Sequence, residues 1–72
     1  MGVDPVLKLL INGKEETLSR EMTLVELISQ RGLNPKSIIV EYNYELVKEE
    51  VWPQIKLKES DRVEILRFVG GG

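Results

Sequence analysis

The closing stretch Asp61–Arg62–Val63–Glu64–Ile65–Leu66–Arg67–Phe68–Val69–Gly70–Gly71–Gly72 alternates apolar and polar side chains from Arg62 to Phe68 and then breaks into three glycines. Alternation with a period of two predicts a strand. With Val63 and Ile65 turned to a core, Glu64, Leu66 and Phe68 face the opposite way, and Arg67 shares the parity of the core residues at the strand's end. Consecutive glycines offer no side chain to pack and lose the most freedom on ordering, so residues 1–69 read as one domain and 70–72 as a flexible tail. A frayed terminus is the plain explanation of such an end. The alternative is functional: extended, Phe68 to Gly72 makes a thread roughly 17 Å long that can enter a channel too narrow for any side chain.

Working outward, Val6 to Asn12 reads as a first strand, Leu7, Leu9 and Ile11 alternating with Val6, Lys8 and Leu10, with Leu10 outward. Asn12–Gly13 is the pair that most readily takes the two positive φ angles of a tight hairpin turn, so Lys14 to Leu18 folds back as a second strand. Thr23–Leu24–Val25–Glu26 is a capping box, Met22 and Leu27 occupy the positions of a hydrophobic staple, and Gly32 supplies a left-handed stop. One helix follows, from about Leu24 to Arg31. After Asn34–Pro35, Ser37 to Tyr42 reads as a third strand with Ile38 and Val40 inward and Ile39 outward. Asn43–Tyr44 is a weaker turn signal before a short strand at Glu45 to Val47, Trp52–Pro53 lies in an irregular stretch above Ile55 and Leu57, and Glu59–Ser60–Asp61 makes a polar turn.

This order gives an α+β fold: a mixed sheet of four or five strands with one helix on one face, the first and last strands lying parallel at the centre. The other face is left to water. Leu10, Leu66 and Phe68, joined by Ile39, form an apolar cluster there, and Val69, next toward the tail, is also expected to meet a partner. Such a cluster on an uncovered face marks a partner surface, whereas apolar residues exposed singly are ordinary. Arg67 serves either as a salt-bridge donor to a partner or as a stem closing the edge of the core.

Composition narrows the function. In 72 residues there is no cysteine and no histidine, which excludes disulfides, Cys/His metal sites, thiol nucleophiles and histidine bases, and no metal site is expected. Ten Lys and Arg against twelve Asp and Glu give a charge of −2 with the signs interspersed, unlike the basic stripe of a nucleic-acid binder. The longest apolar run, Leu9–Leu10–Ile11, is far short of a membrane span, the first residues show no signal-peptide pattern, and Val6 stands where a myristoylation pattern wants Ser or Thr. A cytoplasmic location is expected. The serines lack a histidine partner, so an independent enzyme is not expected.

The ending Asp61 to Gly72, the opening Leu9 to Gly13, the helix start Thr23 to Leu27, and Ile38 to Val47 with Trp52 together resemble the ThiS family, sulfur carriers with a ubiquitin-like β-grasp fold. Two turns depart from the family's pattern: Asn43–Tyr44 stands in place of Asn–Gly, and Glu59–Ser60–Asp61 in place of Asp–Gly–Asp. The resemblance implies that the chain is a co-substrate in thiamine biosynthesis, with no bound cofactor. A ThiF-like, E1-like enzyme uses ATP to adenylate the terminal carboxylate of Gly72, with Gly70 and Gly71 as the slender approach. A sulfur donor such as a cysteine desulfurase provides sulfur for a thiocarboxylate, and a ThiG-like thiazole synthase accepts it. A MoaD-like subunit of molybdopterin synthase, a carrier for another sulfur-transfer pathway, a ubiquitin-like protein modifier and an interaction module with an inert tail are the alternatives.

Overall fold

A computed structural model describes residues 7–68, so the expectations for Val69 and the glycine tail lie outside the described residues. The elements are β1 (Leu7–Ile11), β2 (Lys14–Leu18), α1 (Leu24–Gln30), β3 (Ile38–Tyr42), β4 (Glu45–Val47) and β5 (Arg62–Arg67), with 3₁₀ turns at Pro35–Ser37 and Glu49–Gln54. The strands form one sheet in the order β2-β1-β5-β3-β4. Leu10 pairs with Arg62 and Ile11 with Val63 in parallel, while all other neighbours are antiparallel. The expected central pair of first and last strands is therefore present, and the stretch around Trp52 is a 3₁₀ turn rather than irregular chain.

The local signals act as their chemistry requires. Thr23 and Glu26 exchange hydrogen bonds, backbone N–H of each to side-chain oxygen of the other, at 2.8 and 3.3 Å. The staple residues Met22 and Leu27 are both buried. At the far end Gly32 takes φ +68°, its N–H donates to Ser29 O and the Leu33 N–H to Ile28 O, which closes a Schellman motif. Helix and sheet enclose Leu9, Ile11, Leu24, Leu27, Ile28, Val40 and Val63, with Trp52 sealing one end and donating its indole N–H to Val47 O at 3.1 Å.

Both hairpin turns adopt the same geometry, with φ 53° and 80° at Asn12 and Gly13 and 50° and 74° at Asn43 and Tyr44. Tyrosine in the left-handed region is strained. Its ring lies over the Arg62 guanidinium at 4.3 Å, and the Asn43 side chain ties the turn to Arg62 N–H at 2.8 Å, so tertiary contacts replace the missing glycine. Ser60, at φ 71°, has no such compensation for its side chain among the described residues. Ser60→Gly is therefore expected to raise stability by about 1 kcal/mol, seen as a higher urea midpoint at unchanged slope; an unchanged midpoint contradicts the strain.

Candidate functional site

β5 lies between β1 and β3, and it leads to the tail. Its pairing with β3 extends to Ile38 and Arg67, and Phe68 N–H then donates to Ser37 O at 3.1 Å. On the β1 side the ladder ends earlier. Asn12 takes over there: its N–H donates to Val63 O at 2.9 Å and its Oδ1 accepts from Ile65 N–H at 2.7 Å. β5 is thus held on both sides as far as Ile65 and on the β3 side as far as Phe68.

The face of the sheet away from α1 carries most of the residues expected to meet a partner. Ile39 and Leu66 are direct cross-strand neighbours, and Leu66 is 53% and Phe68 47% exposed. Leu46 of β4, 69% exposed and paired with Glu41, extends this band to the sheet edge. The sequence reading placed a strand at Glu45–Val47 without assigning its faces; parity alone carries the signal for Leu46. Leu10 is exposed on the same face but apart from the band. It stands beside Arg62, four residues down β5 from Leu66, which is about 13 Å at the rise of a strand. The Arg62–Glu64 ion pair, 3.2 Å, lies between them.

Arg67 has the expected opposite parity and is exposed. It lines a depression of about 570 Å³ with Asn12, Arg31, Leu33, Ile38 and Ile65. Arg31, which caps the C-terminus of α1, pairs with Glu16 of β2. Among the described residues Arg67 makes no ion pair.

The polar turn expected at Glu59–Ser60–Asp61 is present, and its last residue turns inward. Asp61 is only 5% exposed. Its carboxylate accepts from the Tyr42 hydroxyl at 2.7 Å, Asn43 Nδ2 at 3.1 Å and the Lys58 N–H at 2.7 Å. Burial, reinforced by the hydrogen bond to Asp61 and its charge, pushes the Tyr42 phenol up to about 12. This cluster joins β3, the second hairpin turn and the start of β5, and so fixes the base of the strand that leads to the tail.

No cluster of His, Cys, Asp and Glu able to hold a metal ion occurs among the described residues, and none of their helices is long and apolar enough to cross a membrane. The site is a surface and a strand end.

Known proteins share this architecture and sequence. A ThiS protein of thiamine biosynthesis from Geobacter metallireducens superposes with a TM-score of 0.78 at 32% identity, over 92% of this chain and 100% of that one. The sulfur carrier protein ThiS of Bacillus subtilis is 35% identical over 63 residues, 86% of this chain and 96% of its own length. A thiazole synthase of Paramagnetospirillum magneticum is 36% identical over 66 residues, 92% of this chain but 20% of its own length, so the chain spans about a fifth of that relative. The ThiS family model matches residues 8–72, a span that runs from β1 through β5 and on over the three glycines. With the fold, near-complete coverage of two small relatives and the tail all included in the match, the chain belongs to the ThiS family.

Proposed function

We propose that this protein carries sulfur for thiamine biosynthesis, with the carboxyl group of Gly72 as the carrier atom group. The observation that supports it most is the family match across β5 and the glycines, because the matched segment joins a strand anchored on both sides to a thread without side chains.

The chemistry assigns each part a task. A terminal carboxylate has a pKa of about 3.5, is ionised at neutral pH and resists nucleophiles. An E1-like enzyme overcomes this by letting a carboxylate oxygen attack the α-phosphorus of ATP, with pyrophosphate leaving. The resulting mixed anhydride is hydrolysed by water, so the enzyme must enclose it, and an unbranched glycine thread permits a tight enclosure. A persulfide supplied through a donor such as a cysteine desulfurase then attacks the carbonyl carbon and AMP departs, and a thiol cleaves the S–S bond of the resulting acyl disulfide, being itself oxidised to a disulfide as the thiocarboxylate is released. The chain acts as co-substrate throughout. With no cysteine of its own, it offers no internal thiol to intercept the acyl group.

A thiazole synthase as sulfur acceptor is supported by the relatives of that name, which contain a stretch similar to this chain within one polypeptide. The band Leu46, Ile39, Leu66 and Phe68 is the surface proposed to seat these partners, since it adjoins the strand end that carries the tail. The test is to incubate the protein with ATP, its activating enzyme and a sulfur source and weigh it intact. Replacement of one oxygen by sulfur at the C-terminal residue is expected; an unchanged mass rules the reading out.

A further inference from the structure

The depression beside Arg67 lies on the helix side of the sheet, away from the apolar band, and its lining has a one-sided chemistry. Its polar side chains are Asn12, Arg31 and Arg67, over a floor of Leu33, Ile38 and Ile65. Asn12 Oδ1 is already taken by the Ile65 N–H at 2.7 Å, while its Nδ2 has no partner among the described residues. Glu16 is engaged by Arg31 and does not line the depression. What remains on offer are donors: the amide NH₂ of Asn12, the guanidinium of Arg67, unpaired among the described residues, and those N–H groups of Arg31 that Glu16 does not hold, the Arg31 charge being already balanced. Donors of this kind around an apolar floor fit an acceptor-only anionic head on a short apolar stem, the form of an aspartate or glutamate side chain, and guanidinium with carboxylate is among the stronger pairings available.

The position of the depression selects its partner. Arg67 is five residues before Gly72 in the sequence, a span of at most about 17 Å of chain, so any enzyme that grips the carboxyl group of Gly72 brings its own surface to this rim. The overall charge of −2 does not by itself favour an acidic partner, which makes a local cluster of donors at the tail's base the determinant of how this end docks.

We propose that the depression formed by Arg31, Arg67 and Asn12 receives a carboxylate side chain of the enzyme that adenylates Gly72, a second contact independent of the apolar band. It rests on the sulfur-carrier reading above. The contact gives the docked carrier a second fixed point, on the face opposite the apolar band.

The test measures ATP–pyrophosphate exchange by the cognate activating enzyme with full-length wild type, Arg67→Glu and Arg67→Gln. Charge reversal is expected to raise KM for the carrier about tenfold with kcat within about twofold, and the glutamine variant to fall between. Raising salt is expected to raise KM of the wild type and lower that of Arg67→Glu, because screening weakens an attraction in one and a repulsion in the other. Wild-type KM in Arg67→Glu overturns the contact while leaving the tail chemistry standing. A lower KM in that variant also overturns it. A wild-type chain that supports no exchange overturns both this contact and the carrier reading.

Discussion

Asp61→Ala is expected to lower the free energy of unfolding by about 3 kcal/mol, a large share of the roughly 4 to 11 kcal/mol that a chain of this length commands. The wild-type carboxylate is buried and accepts three hydrogen bonds, two of them at 2.7 Å. Alanine takes that acceptor from the Tyr42 hydroxyl, Asn43 Nδ2 and the Lys58 N–H; a hydrogen bond to a charged group contributes about 1.5–3 kcal/mol, and because Tyr42 is half-buried and Asn43 and Lys58 are exposed, water makes good part of the three. Urea unfolding checks the figure; a loss under about 1 kcal/mol would mean that water replaces the carboxylate freely. The same cluster makes an alkaline prediction. The Tyr42 phenol is raised from 10 to about 12 on folding, so the native state holds this proton more tightly. Its contribution is fully present below pH 10, the unfolded value, and is lost as pH rises from 10 through about 12. In Asp61→Asn the charge is gone and only a neutral amide oxygen is left to accept, so the tyrosinate absorbance titration of Tyr42 shifts toward lower pH, burial being the part that stays.

That cluster also marks where sequence reasoning stops. Signals confined to neighbouring residues were legible: Asn12–Gly13, the Thr23–Glu26 capping box, Gly32 and the alternation of Arg62 to Phe68 each determine geometry within a few residues, and the structure shows each in place. The parallel pairing of the first and last strands at the centre followed from them through the handedness of crossovers. Asp61 and Tyr44 were not legible, because what decides them is distant in sequence. Burial of Asp61 depends on Tyr42 and Asn43 arriving beside it, and the left-handed Tyr44 on the Arg62 guanidinium beneath its ring. The candidate surface was legible in part for the same reason. Parity put Leu10, Ile39, Leu66 and Phe68 on one face, but only the register separates Leu10 from the others and sets Ile39 against Leu66. The depression beside Arg67 is assembled from β1's turn, the helix end and two strands, and no local pattern in the sequence encodes it.

Gly72→Ala is expected to reduce thiocarboxylate formation by at least about a hundredfold with the fold unchanged, since displacing a reacting group by an ångström or so in an enclosing site carries a penalty of that size. The substitution lies beyond β5, so far-UV circular dichroism and the urea midpoint should match the wild type. The carboxyl group itself is retained and its pKa barely altered; what changes is a methyl group on the carbon next to the reacting carbonyl, in a passage that the carrier reading requires to admit glycine alone. Leu66→Asp provides the contrast. It buries a charge against any partner seated on the apolar band, so it should raise KM for the carrier about tenfold and leave kcat nearly intact, because the tail, once bound, reaches the same site. The two variants thus separate docking from chemistry: loss in KM for Leu66, loss in kcat for Gly72. ATP–pyrophosphate exchange and intact mass check both. Wild-type exchange by Gly72→Ala would show that the passage is wider than a glycine thread needs, and the three glycines would then lose their chemical explanation.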